Sequence, residues 1–600
     1  MPVYKVPVDN IDFVLNEVLD IGKLSALPGY GDFTPDVLGQ VIEEGRKVCE
    51  EVLFPINQSG DAEGCTYENG VVRTPKGFKE AWDVFVEGGW CGMASDPEYG
   101  GMGLPHVIKT VLQEMIIGAN MSFSLFPGLS VGAYDALHVY GTDEQKKTYL
   151  PKITSGEWTG TMNLTEPHCG TDLGLIKTKA IPNGDGSYSI TGTKIFISCG
   201  EHDLTDNIVH LVLAKLPDAP EGVKGISLFV VPKFLPKDEG GKIKSGPRNG
   251  VSCGSIEHKM GLKASPTCVM NFDGAKGWLV GEPHKGLRAM FTMMNTARLS
   301  VAMQGLGAAE IAWQNGLAYA KDRLQMRALD GAKFPDKPAD PIIVHPDVRR
   351  MLLIQKAFCE GARMLACWTG MHLDIAAKHP DAQARQDADD LVALMIPIAK
   401  AYMTDMGFEV ANLTIQIYGG HGYIRENGVE QYARDSRIAM IYEGTNGIQA
   451  LDLVGRKMPQ AYGRLLRQFF HPVSEFINEN QMDESLQEFV LPLAKAFAKL
   501  QQVTGFVAGQ GLKDPNEAGA ASSDYLRMFA LVAMGYMWAL MAKTAAAKLK
   551  AGAGDKNEFY ESKLMTARFF FTRMLPEADA RFKMVMAGAE PLMEMDAAAF

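Results

Sequence analysis

Arg437-Ile438-Ala439-Met440-Ile441-Tyr442-Glu443-Gly444-Thr445-Asn446-Gly447-Ile448-Gln449 is the stretch from which the rest of the chain is best read. It holds one carboxylate, Glu443, directly after the apolar run Ala439 to Tyr442. Gly444 follows, then Thr445 and Asn446, which read as N-cap residues of a helix over Ile448 to Met458. Two readings of Glu443 stand. It is an ordinary helix-entry acid, or it is a base whose proton affinity rises once a ligand excludes water from its apolar flank.

Outward from this stretch the pattern is helical. Leu287 to Leu324, Val348 to Lys378 and Ala384 to Tyr418 are rich in Ala, Leu and Met, as in an antiparallel bundle, with Pro397 expected to kink the third. Residues 461–600 add another helical unit, with helices expected over Pro472 to Leu500, Asp524 to Lys550 and Glu558 to Leu575. Before the bundle, Tyr188 and Ile190, Ile195 and Ile197, Ile208 to Leu213 and Ile226 to Val231 are short β-rich runs separated by Gly, Asp, Asn and Pro. Lys237 to Gly250 reads as an exposed loop among them. Earlier still, Leu38 to Leu53, Phe78 to Glu87 and His106 to Ser124 have helical spacing, and Tyr67 to Thr74 resembles a polar hairpin. A further helix is capped at Thr142 and closed by Pro151. Residues 1–33 show no strong period.

The expected fold class is α+β multidomain. It comprises an N-terminal arm (1–33), an N-terminal helical domain (34–157), a central β-domain (158–286), a C-terminal helix bundle (287–460) and an additional helical domain (461–600).

Composition narrows the function. A formal net charge of -12 argues against a nucleic-acid partner, because phosphate binding needs a basic face. Nine scattered cysteines without a C-x-x-C pair read as free thiols in a reducing compartment, and no metal site is expected. Met1 to Leu19 has the pattern of neither a secretory signal nor a transit peptide, so a cytoplasmic location is expected. The uncharged run Met528 to Ala542 is shorter than the roughly 20 residues that span a bilayer, so it reads as a buried helix; interfacial membrane contact is the other reading and is not expected.

Particular motifs in this order resemble the acyl-CoA dehydrogenase family of flavoproteins, over about residues 36–460. Tyr99-Gly100-Gly101-Met102-Gly103 and Gly141-Thr142-Asp143-Glu144-Gln145 match family segments. The strongest match is Leu164-Thr165-Glu166-Pro167-His168-Cys169-Gly170-Thr171-Asp172, and Tyr442-Glu443-Gly444-Thr445 completes the set. The arm and residues 461–600 resemble the longer branch of the family, which includes 3-methylmercaptopropionyl-CoA dehydrogenases and bacterial fatty acyl-CoA dehydrogenases.

The resemblance implies FAD as cofactor. Met162, Leu164 and Thr165 would lie along the isoalloxazine ring, with Phe196 and Ser198 flanking it. A strand-core role is the other reading of Phe196. Arg323 and Gln325 match a segment whose arginine reaches the flavin pyrophosphate of a neighbouring subunit. Met326 and Arg327 replace the usual Phe-Gly there and bring the local turn into question. Gln416, Gly419 and Gly420 match a glycine-rich turn near the dinucleotide, while His421 is given no chemistry. Thr445 and Asn446 would offer helix N-terminal donors to the flavin.

For acyl-CoA, Thr171 matches a residue near the pantetheine or phosphate. Asn295 and Arg298, at i and i+3, match a pair at the adenine-phosphate end, although Arg298 also reads as a solvated surface charge. Tyr442 and Gly444 would touch the thioester. Glu443 would remove the α-proton while the β-hydride passes to flavin, giving trans-2-enoyl-CoA in fatty acid β-oxidation on medium- to long-chain substrates.

Electron-transfer flavoprotein is the implied acceptor, and a homodimer or homotetramer the implied assembly. The alternatives are a 3-methylmercaptopropionyl-CoA dehydrogenase, an acyl-CoA oxidase and a non-catalytic helical scaffold.

Overall fold

The structure is a computed structural model and describes residues 2–600, apart from the side chains of residues 294–296. Two compact units emerge. One comprises residues 43–104 and 115–300, the other residues 1–42, 105–114 and 301–600.

The first unit is built on a seven-stranded sheet. Its strands run in the order Val251–Ile256, Thr267–Val280, Tyr188–Ser198, Lys179–Pro182, Asn207–Lys215 and Trp158–Asn163, and Ile226–Pro232 pairs with both Thr267–Val280 and Asn207–Lys215. Trp158–Asn163 runs parallel to Asn207–Lys215 and is buried along its whole length. The reason lies in Gly160: a Cβ there would sit 2.3 Å from the Ala133 methyl, so only glycine lets the Met121–Tyr140 helix lie this close to the strand. Gly160 N–H donates to Ser130 Oγ at 3.1 Å across the same contact.

Thr142 and Gln145 form the reciprocal capping box that starts the Asp143–Thr154 helix. Pro151 lies inside this helix instead of closing it, and its carbonyl still accepts from Ser155 N–H at 3.0 Å. The single helix expected over 106–124 is two, because Asn120 Oδ1 accepts from Phe123 N–H and starts the second. The expected loop at 237–250 belongs to a hairpin of Phe234–Glu239 and Lys242–Arg248, turned at Gly240 and Gly241, both with positive φ.

The second unit is helical. Its core helices are Gly286–Asp322 (shared with the first unit), Pro346–Lys378 and Ala382–Tyr418. Pro397 lies within the last without ending it. Gly305 and Gly407 let two backbones touch: a Cβ on Gly305 would lie 2.1 Å from Met403 O. Inside the bundle Arg363 is fully buried, donating to Glu114 (Nε to Oε1, 2.9 Å) and Glu310 (Nη2 to Oε2, 2.7 Å).

The appended helices continue this core. The helix expected over 472–500 is two, Arg464–Asn480 and Gln487–Gly511. Asp483 separates them by accepting from Ser485 N–H and Oγ, an Asx turn that competes with the helix. Pro515–Ala551 is the long central helix, and its Trp538 indole donates to Ala357 O at 3.1 Å. The arm without a period is ordered against this region: Phe13 is fully buried and meets Phe559 edge-on at 5.5 Å. Among the described residues, two helical stretches, Ala382–Tyr423 and Pro515–Ala551, are long and apolar enough to cross a membrane, yet 83% and 89% of their apolar windows are buried inside the protein. All nine cysteines are free thiols.

Candidate functional site

The candidate residues fall on both units, and each group is organised by a buried lysine.

In the helical unit, Arg437–Met440 is a single 3-10 turn, and the chain then enters the Glu443–Gly444 turn. Both residues are left-handed, Glu443 at φ +56° and Gly444 at +83°. Glycine adopts this freely, whereas glutamate is held there at a cost of about 1–3 kcal/mol. Two side chains hold it. Lys400, fully buried in the Ala382–Tyr418 helix, donates from Nζ to Gly444 O at 2.8 Å and to Asn446 Oδ1 at 2.9 Å. Gln449 Nε2 donates to Glu443 O at 3.1 Å and Gly444 O at 3.2 Å.

Thr445 caps the following helix, Asn446–Asp452, by accepting from Ile448 N–H at 3.3 Å. The α-helix is shorter than expected and passes into a π-turn at Leu453–Lys457. Asn446 differs from the expectation of an outward donor, because its amide is keyed into the Ala382–Tyr418 helix. Nδ2 donates to Asp405 Oδ1 (2.6 Å), Thr404 Oγ1 (3.1 Å) and Ala401 O (3.2 Å). Tyr442 donates its hydroxyl to Gln304 Oε1. Burial, reinforced by the nearby Glu443 charge, holds that hydroxyl well above the usual tyrosine range.

Two further turns belong to this unit. Gly419 (φ +59°) and Gly420 are exposed, with open space where each Cβ would stand, and Gln416 is exposed beside them. Tyr319 stacks on Tyr418 at 4.0 Å and shares a hydrogen bond with the exposed His421 at 2.8 Å. The turn after Arg323 forms despite the substituted Met326-Arg327, since Met326 itself takes the left-handed conformation (φ +61°). Buried Asp340 gathers N–H groups of Ala328, Lys333 and Phe334 together with the Arg327 guanidinium. Burial opposes its ionisation, but these donors hold the Asp340 carboxyl down at about 2. Arg323 is half-buried, Gln325 is exposed, and Gln325 O accepts from His345 Nε2 at 2.9 Å.

In the sheet unit, Met162 is buried at the end of the Trp158–Asn163 strand, and Leu164 and Thr165 leave it half-buried. Lys194, 0% exposed, donates to Glu166 Oε1 at 2.8 Å and Leu164 O at 3.0 Å. Glu166 also accepts from Thr178 Oγ1 (2.6 Å), Lys177 N–H (2.6 Å) and Thr178 N–H (3.1 Å). Burial raises the Glu166 pKa, but Lys194 and these donors outweigh it and leave the carboxyl below its usual value. Glu166, His168 and Cys169 bring possible metal-ligand atoms within 4.8 Å of one another, with Lys194 supplying the positive charge beside the carboxylate.

Ile195 N–H donates to Thr165 O at 2.9 Å, so the loop and the strand carrying Phe196 and Ser198 are joined. Phe196 is not a core residue: it is 60% exposed with φ +58°. Ser198 is half-buried and Thr171 exposed. Arg298 is 6% exposed, which removes the reading of a solvated charge. The side chain of Asn295 lies outside the described residues.

The residues that sequence reasoning missed are the supports: Lys194, Glu166, Lys400, Gln449 and Asp405. Lys400 carried one signal, a lone charge in the apolar run Met395 to Met403.

Four family models match in order along the chain: acyl-CoA dehydrogenase N-terminal domain over 40–157, middle domain over 161–275, C-terminal domain over 284–458, and acetyl-CoA dehydrogenase C-terminal like over 469–596. The 3-methylmercaptopropionyl-CoA dehydrogenase of Ruegeria pomeroyi is 44% identical over 98% of this chain and 99% of its own. A broad-specificity linear acyl-CoA dehydrogenase of Mycobacterium tuberculosis is 35% identical over 98% of each. Among solved structures, a Bacillus anthracis acyl-CoA dehydrogenase complexed with FAD shares the fold at TM-score 0.73 and 23% identity, over 98% of this chain and 92% of that one. The chain therefore belongs to the acyl-CoA dehydrogenase family and is an FAD-dependent oxidoreductase.

Proposed function

We propose that the protein oxidises acyl-CoA thioesters to trans-2-enoyl-CoA, with Glu443 as the base that takes the α-proton. The observation that carries this is the left-handed Glu443–Gly444 turn, whose carbonyls are held from within by Lys400 and Gln449. A strained carboxylate-bearing turn kept in place by a buried cation is what positioning a proton acceptor requires. The α-proton of a thioester is too weakly acidic for a solvated carboxylate, so exclusion of water by the bound substrate must raise the proton affinity of Glu443. Tyr442 and Gly444 flank the thioester.

The residues fit FAD. Phe196 offers an exposed aromatic face beside Thr165, and Gly419 and Gly420 leave open space for close backbone approach. Met162, Leu164, Thr165, Phe196 and Ser198 line the ring, while Arg323, Gln325, Gln416, Gly419, Gly420, Thr445 and Asn446 serve the dinucleotide. At Asn446 this is a backbone contribution, since the side chain is committed elsewhere. Bound FAD supplies the hydride acceptor. Thr171, Asn295 and Arg298 hold the CoA moiety, where a guanidinium pairs with phosphate oxygens.

The substrates are linear acyl-CoA of fatty acid β-oxidation, and the name of the Ruegeria relative adds the 3-methylthio-propanoyl thioester to the candidates. Both have the α- and β-hydrogens the reaction needs. Electron-transfer flavoprotein is the proposed acceptor in the cytoplasm. The exposed apolar side chains of Met326, Leu329, Tyr423 and Ile424 support self-association as a homodimer or homotetramer.

The test is anaerobic mixing of purified holoenzyme with butanoyl- to hexadecanoyl-CoA and the methylthio thioester. At least one should bleach the flavin and yield the enoyl product. Failure of all of them would overturn the proposal, and peroxide release at the turnover rate in air would make the protein an oxidase.

A further inference from the structure

The appended helices do more than extend the core. Pro515–Ala551 packs along both the Ala382–Tyr418 helix and the short Asn446–Asp452 helix that begins at the Glu443 turn. From it, the Arg527 guanidinium reaches 4.7 Å from the Tyr402 ring centroid and 3.3 Å from Met406 Sδ. Tyr402 and Met406 are one helical turn apart and flank Asp405. Arg527, Tyr402, Asp405 and Met406 line one cavity of about 430 Å³ together with Glu577, which accepts from Arg527 Nε at 3.0 Å.

Asp405 is the next link. Its Oδ1 accepts from Asn446 Nδ2 at 2.6 Å, and Asn446 Oδ1 accepts from the same Lys400 ammonium that holds Gly444 O. Burial pushes the Asp405 carboxyl up, with Asn446 and the charges of Arg527, Lys400 and Arg437 opposing it. An ionised carboxylate grips an amide N–H more strongly than a neutral one, so each nearby cation tightens the hold on Asn446.

We infer that Arg527, in the appended domain, is a positioning residue for the reaction: through Asp405 and Asn446 it fixes the turn that presents Glu443. This gives residues 464–593 a part in the chemistry and rests on the reading of Glu443 as the base. The contacts of Arg527 are with Tyr402, Met406 and Glu577 and with none of the residues assigned to substrate or cofactor, so its loss should alter the rate of proton removal and not the affinity for thioester.

The experiment compares holoenzyme variants by single-turnover flavin bleaching at saturating acyl-CoA, with acyl-CoA Kd and FAD content measured alongside. Arg527→Met should slow bleaching about tenfold or more and leave Kd within about twofold, while Arg527→Lys recovers most of the rate. Asp405→Asn should slow bleaching similarly, and Arg527→Met combined with Asp405→Asn should be no slower than Asp405→Asn alone, as expected of one pathway. Arg568→Met removes another ion pair of the same domain, to Glu488, and should bleach at the wild-type rate.

A wild-type rate in Arg527→Met, additive losses in the double variant, or an equal loss in Arg568→Met would overturn the inference. If Arg527→Met does not fold, a wild-type rate in Asp405→Asn overturns it by itself. Glu443→Gln separates the two claims. Bleaching by that variant removes the base assignment, whereas a silent Glu443→Gln beside an undiminished Arg527→Met removes only the link to the appended domain.

Discussion

Lys194 in the sheet unit and Lys400 in the helical unit are both fully buried ammonium groups that pin a loop, but what they pin differs. Lys194 meets a carboxylate, Glu166, itself 3% exposed and bonded by three further donors. Lys400 donates to the Gly444 carbonyl and the Asn446 amide oxygen, with the Asp405 carboxylate one hydrogen bond further away. The first is a closed ion pair whose members depend on each other. The second holds the backbone of the turn itself, through the Gly444 carbonyl and the Asn446 amide, and Asn446 in turn is bonded to Asp405. The contrast separates a support that fixes the fold from one suited to holding a reacting group.

Removing each lysine tests this. Lys194→Met strands the Glu166 charge and should destabilise the protein by about 3–5 kcal/mol, read by urea unfolding. A loss below 1 kcal/mol would mean the pair is hydrated and the contrast unfounded. Lys400→Met removes the bonds to Gly444 O and Asn446 Oδ1 and should cost at least about 1–3 kcal/mol by the same measure, and slow flavin bleaching more than Lys194→Met does. The reverse ranking would break the comparison.

The smallest expected effect is on pH dependence. Glu166 titrates in the folded state below its ordinary 4.5, so its stabilisation is present above pH 4.5 and is lost as pH falls through the depressed value. The stability difference between wild type and Glu166→Gln should therefore shrink as the solution is acidified below that pH. Asp405 runs the other way: its carboxyl is raised by burial, so the penalty it imposes at neutral pH is relieved on acidification. An Asp405→Asn difference that followed the same sign as Glu166→Gln would contradict the assignment of these two sites.

Local chemistry made much of this legible in the sequence. Thr142 and Thr445 are legible as caps because side chain and backbone partner lie within four residues. The breaks at Asn120 and Asp483 were missed, since an Asn or Asp inside an apolar period is read as helix until its own backbone bond is seen. The arm has no period because residues such as Phe13 bury against distant segments, here Phe559, where no local repeat is required. Among the candidate site residues, Glu443, Phe196 and the glycines are legible as motifs. Their supports are not, because Lys400 lies 43 residues before Glu443 in sequence, and only the packing of the Ala382–Tyr418 helix brings it to the turn.

The central claim is that Glu443 is the proton acceptor, and anaerobic stopped-flow mixing of Glu443→Gln holoenzyme with acyl-CoA tests it most directly. The account predicts retained FAD, thioester binding close to wild type and a bleaching rate lowered by about 10²–10⁴-fold or more. Bleaching at the wild-type rate in that variant would contradict it.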